Sequence, residues 1–165
     1  MLARMNPEDT RPDPSAPLEH FVAAQDVVWE DVVAELRAGA KTSHWMWFVL
    51  PQLAGLGRSA TARHYGIVDL AHARAYWRHP VLGPRLRRCM ELLRALPPSA
   101  TPLRVFGQVD AMKLRSCLTL FERAAPEDPL AAQLLQRWWG GERDPLTLQA
   151  LQAPVEPPQG GFRQR

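Results

Sequence analysis

Residues 41–59, KTSHWMWFVLPQLAGLGRS, crowd a lysine, a histidine, two tryptophans, a glutamine, an arginine and two glycines into one short run. His44 ionises near neutrality and could give or take a proton. Trp45 or Trp47 could offer a ring face to a nucleobase or sugar. Lys41 and Arg58 could meet a phosphate or another negative charge, and Ser43 and Gln52 could read a polar edge. The glycines of GLG would let backbone approach an anion, and a helix starting at Ser59 would aim N–H groups at it. A second run, FGQVDAMKLRSCLTLF (106–121), repeats polar residues every third position. Asp110, Lys113, Ser116 and Thr119 would form one helical stripe opposite Met112, Leu118 and Phe121. One cation, one carboxylate and two short hydroxyls suit a groove better than a solvated face. Asp110 is the second acid/base candidate after His44.

Each feature also has a bland reading. The tryptophans could be plain core, and His44 a hydrogen-bonded packing residue. GLGRS could be a turn before a capped helix. The stripe could be an exposed face whose Asp110–Lys113 pair is worth a few tenths of a kcal/mol. Trp45 and Trp47 are two apart and cannot share one helical face. One ring is expected in the core and the other beside a cleft or a neighbouring helix.

The rest of the chain must position these residues. At 165 residues, 46% hydrophobic and 22% charged, it reads as one soluble domain. Prolines crowd both ends, so residues 1–17 and 153–165 are expected to be disordered tails around a domain of 18–152. No apolar run approaches the ~20 residues that span a bilayer. The start shows no secretory h-region, and Cys89 and Cys117 lack CxxC spacing. The expected compartment is the reducing cytoplasm, and neither a metal site nor a cofactor is called for. Known nucleotide, protease and calcium motifs are absent.

Charge is uneven. Residues 1–38 hold three arginines and eight acids, a net of −5, whereas 58–94 hold eight arginines and two acids, a net of +6. The basic stretch could attract nucleic acid, but no helix-turn-helix or other nucleic-acid module is recognisable. Only two lysines stand beside eighteen arginines, and both fall in the two runs above.

Periodicity predicts a helix over 18–38 ended by Gly39, with Trp29 in its core face beside Val28, Val32 and Leu36. A short buried helix capped by Ser43 follows and stops at Pro51. Ser59 and Asp69 look like N-caps of the next two helices. Residues 81–96 read as a helix with a Leu82, Leu86, Met90, Leu93 stripe. Thr101 caps a short turn before the helix of 109–124, and Asp128-Pro and Asp144-Pro open the last two. No hairpin or alternating strand pattern is present. The expected fold is all-α, a compact single-domain bundle of six to eight helices, several of them short.

Four segments, LEHFVAAQ, KTSHWMWFVLPQLAGLGRS, YWRHPVLGPRL and FGQVDAMKLRSCLTLF, resemble the bacterial family known as domain of unknown function 1810, across residues 18–151. The resemblance implies a compact, mostly helical protein and brings no activity with it. Its characteristic positions include Ser43, His44, Trp45, Trp47, Gln52, Ser59, Asp110, Lys113 and Ser116. Where the family's run carries a second hydroxyl, this chain has Cys117. A fainter likeness to small helical hydrolases acting on ADP-ribose linked to an amine suggests only a ligand class.

The expectation is therefore a cleft between 41–59 and 110–119 that binds a small anionic, nucleotide-like ligand. Lys41, Arg58 and Lys113 would meet its charge. Whether a reaction follows is open; an ADP-ribose- or NAD-related hydrolysis or group transfer would use His44 or Asp110. The rivals are a non-catalytic protein-interaction module and an arginine-rich nucleic-acid binder.

Overall fold

A computed structural model describes residues 18–152, so both proline-rich ends lie outside the described residues. These residues form eight α-helices: α1 (Glu19–Ala38), α2 (Met46–Val49), α3 (Ala60–His64), α4 (Leu70–Arg78), α5 (Leu82–Arg94), α6 (Pro102–Ala124), α7 (Leu130–Trp139) and α8 (Pro145–Gln152). A single 3₁₀ turn, Ala54–Leu56, lies between α2 and α3. The only β-type pairing among the described residues is an isolated bridge between Leu53 and Ile67. The fold is all-α, as the periodicity predicts.

Local chemistry sets most boundaries. Gly39 adopts φ 68° and ends α1 in a left-handed cap. The Ser59, Asp69 and Thr101 side chains accept the amides of Ala62, His72 and Arg104, opening α3, α4 and α6. Asp128 accepts the Leu130 amide at 2.9 Å. Ser43 is the exception. It does not cap α2, whose N-terminus carries no side-chain cap. Its hydroxyl is bound instead to Glu35 on α1.

The core is continuous. Leu82, Leu86, Met90 and Leu93 of α5 are all buried, as are Leu114, Cys117, Leu118 and Phe121 of α6. Helix α6 is the central element, packed against α4, α7 and α8, while α1 packs on α5 and α2. The acidic α1 and basic α5 meet through Asp26 and Arg85 at 2.7 Å. The same arginine lies 5.2 Å from the Trp29 ring centroid. Trp29 and Val28 are half-buried and pack against the core, Trp29 under Arg85, at the edge of the face that Phe21, Gln25, Val32 and Leu36 bury fully.

One backbone feature joins the two chemistry-bearing runs. Gly107 breaks α6 with φ 77°, a conformation that side-chain-bearing residues rarely adopt. The kink takes the Val105 carbonyl out of the helical ladder, and the Lys41 amide donates to it at 2.8 Å. The start of residues 41–59 is thus fastened directly above the 110–119 stripe.

Candidate functional site

Glu35, an ordinary-looking acid near the end of α1, organises the 41–45 loop. Its Oε1 accepts the amides of Thr42 (2.6 Å) and Ser43 (2.8 Å) and the Trp45 indole N–H (3.2 Å). Its Oε2 accepts the Ser43 hydroxyl at 2.5 Å. Burial pushes the Glu35 carboxyl up, but these donors outweigh burial and hold it at about 2. Ser43 and Trp45 are thereby committed to structure. The Trp45 ring is fully buried.

Lys41 extends this sealed region. Its side chain is only 7% exposed and its Nζ lies 2.8 Å from Asp110 Oδ2. The same Nζ donates to the Ser43 carbonyl and sits 4.9 Å from the Trp45 ring centroid. Asp110 is shared: Lys113 Nζ approaches its other oxygen at 3.9 Å. Lys113 in turn lies 4.9 Å from the Trp47 ring centroid. The two lysines of the chain therefore stand on two tryptophans, joined through one aspartate.

Beside the second pair opens a cleft of about 410 Å³. Trp47 of α2, Gln52, Leu56 and Gly57 of the following loop, and Arg58 and Ser59 at the start of α3 form one side. Val109, Met112, Lys113 and Ser116 of α6 form another, and Trp139, Asp144 and Leu146 close the end. Gly57 is required here: a Cβ on it would lie 2.4 Å from that of Ala62, so the loop reaches α3 only without a side chain. The Ser59 hydroxyl is exposed and caps α3 by accepting the Ala62 amide.

The structure thus brings Trp47, Gln52, Arg58, Ser59, Lys113 and Ser116 together around one cavity. It sets Lys41, Ser43 and Trp45 in the adjoining sealed region. His44 is exposed and does not line the cleft. Asp110 is bound by Lys41 and is likewise outside the lining. Met112, expected on the apolar back of the stripe, is 67% exposed at the cleft rim with Val109. Cys117 points into the core, where burial pushes its thiol well above its ordinary range.

The lower half of the stripe has a different task. Thr119 is fully buried; its hydroxyl accepts the Asp144 amide at 2.9 Å and donates to the Arg115 carbonyl at 2.8 Å. The Ser116 hydroxyl lies 3.0 Å from Asp144 Oδ2 and 3.2 Å from the Met112 carbonyl. Arg115 donates to the carbonyls of Glu142 and Arg143. These groups dock the turn before α8 and set Asp144 into the cleft wall. Asp144 is legible as a helix cap, and it does accept the Thr147 amide at 3.1 Å. Nothing local marks it as a cleft residue. Among the described residues no three His, Cys, Asp or Glu side chains are grouped to hold a metal ion, and no helix is long and apolar enough to cross a membrane.

A family model for proteins of unknown function, DUF1810, matches residues 15–151. The chain belongs to this family. A solved structure, the conserved hypothetical protein Rv1873 from Mycobacterium tuberculosis, is similar to this chain and 44% identical. That match covers 86% of this chain and 100% of the other, with a TM-score of 0.83. A search of curated proteins gives no match to this DUF1810 chain. The segments that resemble the family in sequence include those that build both the sealed region and the cleft.

Proposed function

We propose that the cleft binds a small anionic molecule with a planar, nucleotide-like body. The observation that supports this reading is the charge balance around Asp110. Lys41, buried and at 2.8 Å, compensates the carboxylate. Lys113, at 3.9 Å and more exposed, is held loosely and keeps most of its positive charge for the cleft. Arg58 adds a second cation at the rim. Trp47, Leu56 and Trp139 supply the apolar surface that a ligand pocket of this size needs, with Gln52 as a polar group among them. The expected activity is binding; a hydrolytic or transfer reaction would have to use cleft groups, since His44 and Asp110 lie outside its lining.

Calorimetric titration with adenosine 5′-monophosphate and ADP-ribose tests this. Wild-type protein should bind at least one of them, and Lys113→Ala should weaken that binding about tenfold or more. Absence of heat with both ligands on folded wild-type protein would remove the reading.

A specific observation favours a second reading. Val109, Met112 and Leu146 are each at least 60% exposed and share this cleft. Such an apolar rim suits a docking peptide. Met112→Gln, which adds no charge beside the anion, separates the two: it should weaken docking of an apolar peptide segment more than it weakens nucleotide binding.

A further inference from the structure

The cleft contains a carboxylate whose two oxygens are used unequally. Asp144 Oδ2 takes every hydrogen bond made to this side chain among the described residues: from the Thr147 hydroxyl (2.5 Å), the Thr147 amide (3.1 Å) and the Ser116 hydroxyl (3.0 Å). Oδ1 receives none and is not sealed from solvent. A helix cap needs only one oxygen. The second is left as a strong, charged acceptor on a residue of the cavity wall.

Its placement relative to the cations follows from α6. Ser116, which touches Asp144, lies one helical turn beyond Lys113, so the acceptor and the ammonium flank neighbouring parts of the same wall. They are not spent on each other: the carboxylate within 4 Å of Lys113 is that of Asp110. The position of Asp144 is also fixed before any ligand arrives. Thr119 holds its amide, Ser116 and Thr147 hold Oδ2, and Arg115 holds the two preceding carbonyls. A rigid acceptor of this kind discriminates strongly, because a ligand without a matching donor leaves it desolvated and unpaired.

We propose that Asp144 is the selectivity-determining residue of the cleft, and that Oδ1 accepts from a hydroxyl of the bound molecule. The ligand class is then a hydroxyl-bearing phosphate, such as a nucleotide with its sugar diol, and not a bare anion. A purely anionic ligand would be repelled by Asp144, whereas a phosphate carrying hydroxyls satisfies Lys113 and Asp144 together. This inference rests on the ligand-binding reading of the cleft.

The test compares adenosine 5′-monophosphate with its 2′,3′-dideoxy analogue, by calorimetry on the full chain. Wild-type protein should bind the dideoxy compound at least about tenfold more weakly. Asp144→Asn preserves an oxygen for the Thr147 amide but turns an N–H₂ donor toward the cavity. It should lose a similar factor for the natural nucleotide and nothing further for the dideoxy analogue. Equal affinity of wild type for the two nucleotides overturns the inference and needs no variant. Retention of wild-type affinity by folded Asp144→Asn, with binding still lost in Lys113→Ala, overturns it while leaving the cleft reading standing. If wild type binds neither nucleotide, the inference falls, and the cleft reading falls with it if ADP-ribose also fails to bind.

Discussion

Two lysine–tryptophan pairs, built from the same residue types and joined by one aspartate, have opposite surroundings. Lys41 over Trp45 is closed in, with a side chain 7% exposed and a fully buried ring. Lys113 over Trp47 has the same 4.9 Å ring distance but opens onto a cleft. The difference comes from partners, not from the pairs. Glu35 gathers four donors from the 42–45 loop and draws Trp45 inward, and the Gly107 kink supplies a carbonyl for the Lys41 amide. Lys113 has only a loose ion pair and a ring face. Residue type therefore says little about which pair is structural, whereas the count of satisfied partners says much.

The sharpest way to break the comparison is through the rings. Trp45→Ala should cost about 3–5 kcal/mol, as for other large core truncations. Trp47→Ala, on a half-buried ring, should cost less than half as much in the same urea titration. Equal losses would mean that Trp47 is as much core as Trp45. Glu35→Gln should follow, at about 2–3 kcal/mol, because a charged acceptor with four donors is replaced by an amide that must present a donor to some of them. Here pH gives a separate signature. The folded Glu35 carboxyl is held at about 2, below its ordinary 4.5. Its contribution is thus complete above roughly pH 4.5 and is lost as pH falls toward 2. Stability of the wild type should fall through that window, and Glu35→Gln should flatten the fall. An unchanged acid limb would show that Glu35 is not the group responsible.

How much of this could be read in the chain follows the same division. Caps at Ser59, Asp69 and Thr101, and the stop at Gly39, act within a few residues and were legible; Asp128 binds the Leu130 amide, but the position before α7 is Pro129. The short turn after Thr101 and the helix of 109–124 are legible as separate pieces, and the structure joins them into α6 across the kink at Gly107. The cleft residues on the two runs could be nominated because the runs mix short polar and apolar types. Their sorting could not be read. A single-turn α2 has no periodicity to say which tryptophan turns inward. Ser43 looked like a cap because its partner, Glu35, is eight residues back on another helix. Nothing local marks Glu35 among the eight acids of residues 1–38. Asp144 was recognised for its capping and hidden by it, since only the docking of the turn on Ser116 and Thr119 places it in the cavity. Met112 falls on the apolar side that periodicity predicts yet lies at the cleft rim, because the polar stripe of α6 is half docking surface and half cleft wall.

The division of labour between the lysines is tested most directly by unfolding Lys41→Met and Lys113→Met side by side in urea. Lys41→Met should lose about 2 kcal/mol, less than the roughly 3–5 kcal/mol for breaking a buried ion pair, because Lys113 remains near Asp110. Lys113→Met should stay within about 0.5 kcal/mol of wild type, as surface pairs do. Equal losses in the two variants, or a larger loss for Lys113→Met, would contradict the assignment of one lysine to structure and the other to the cleft.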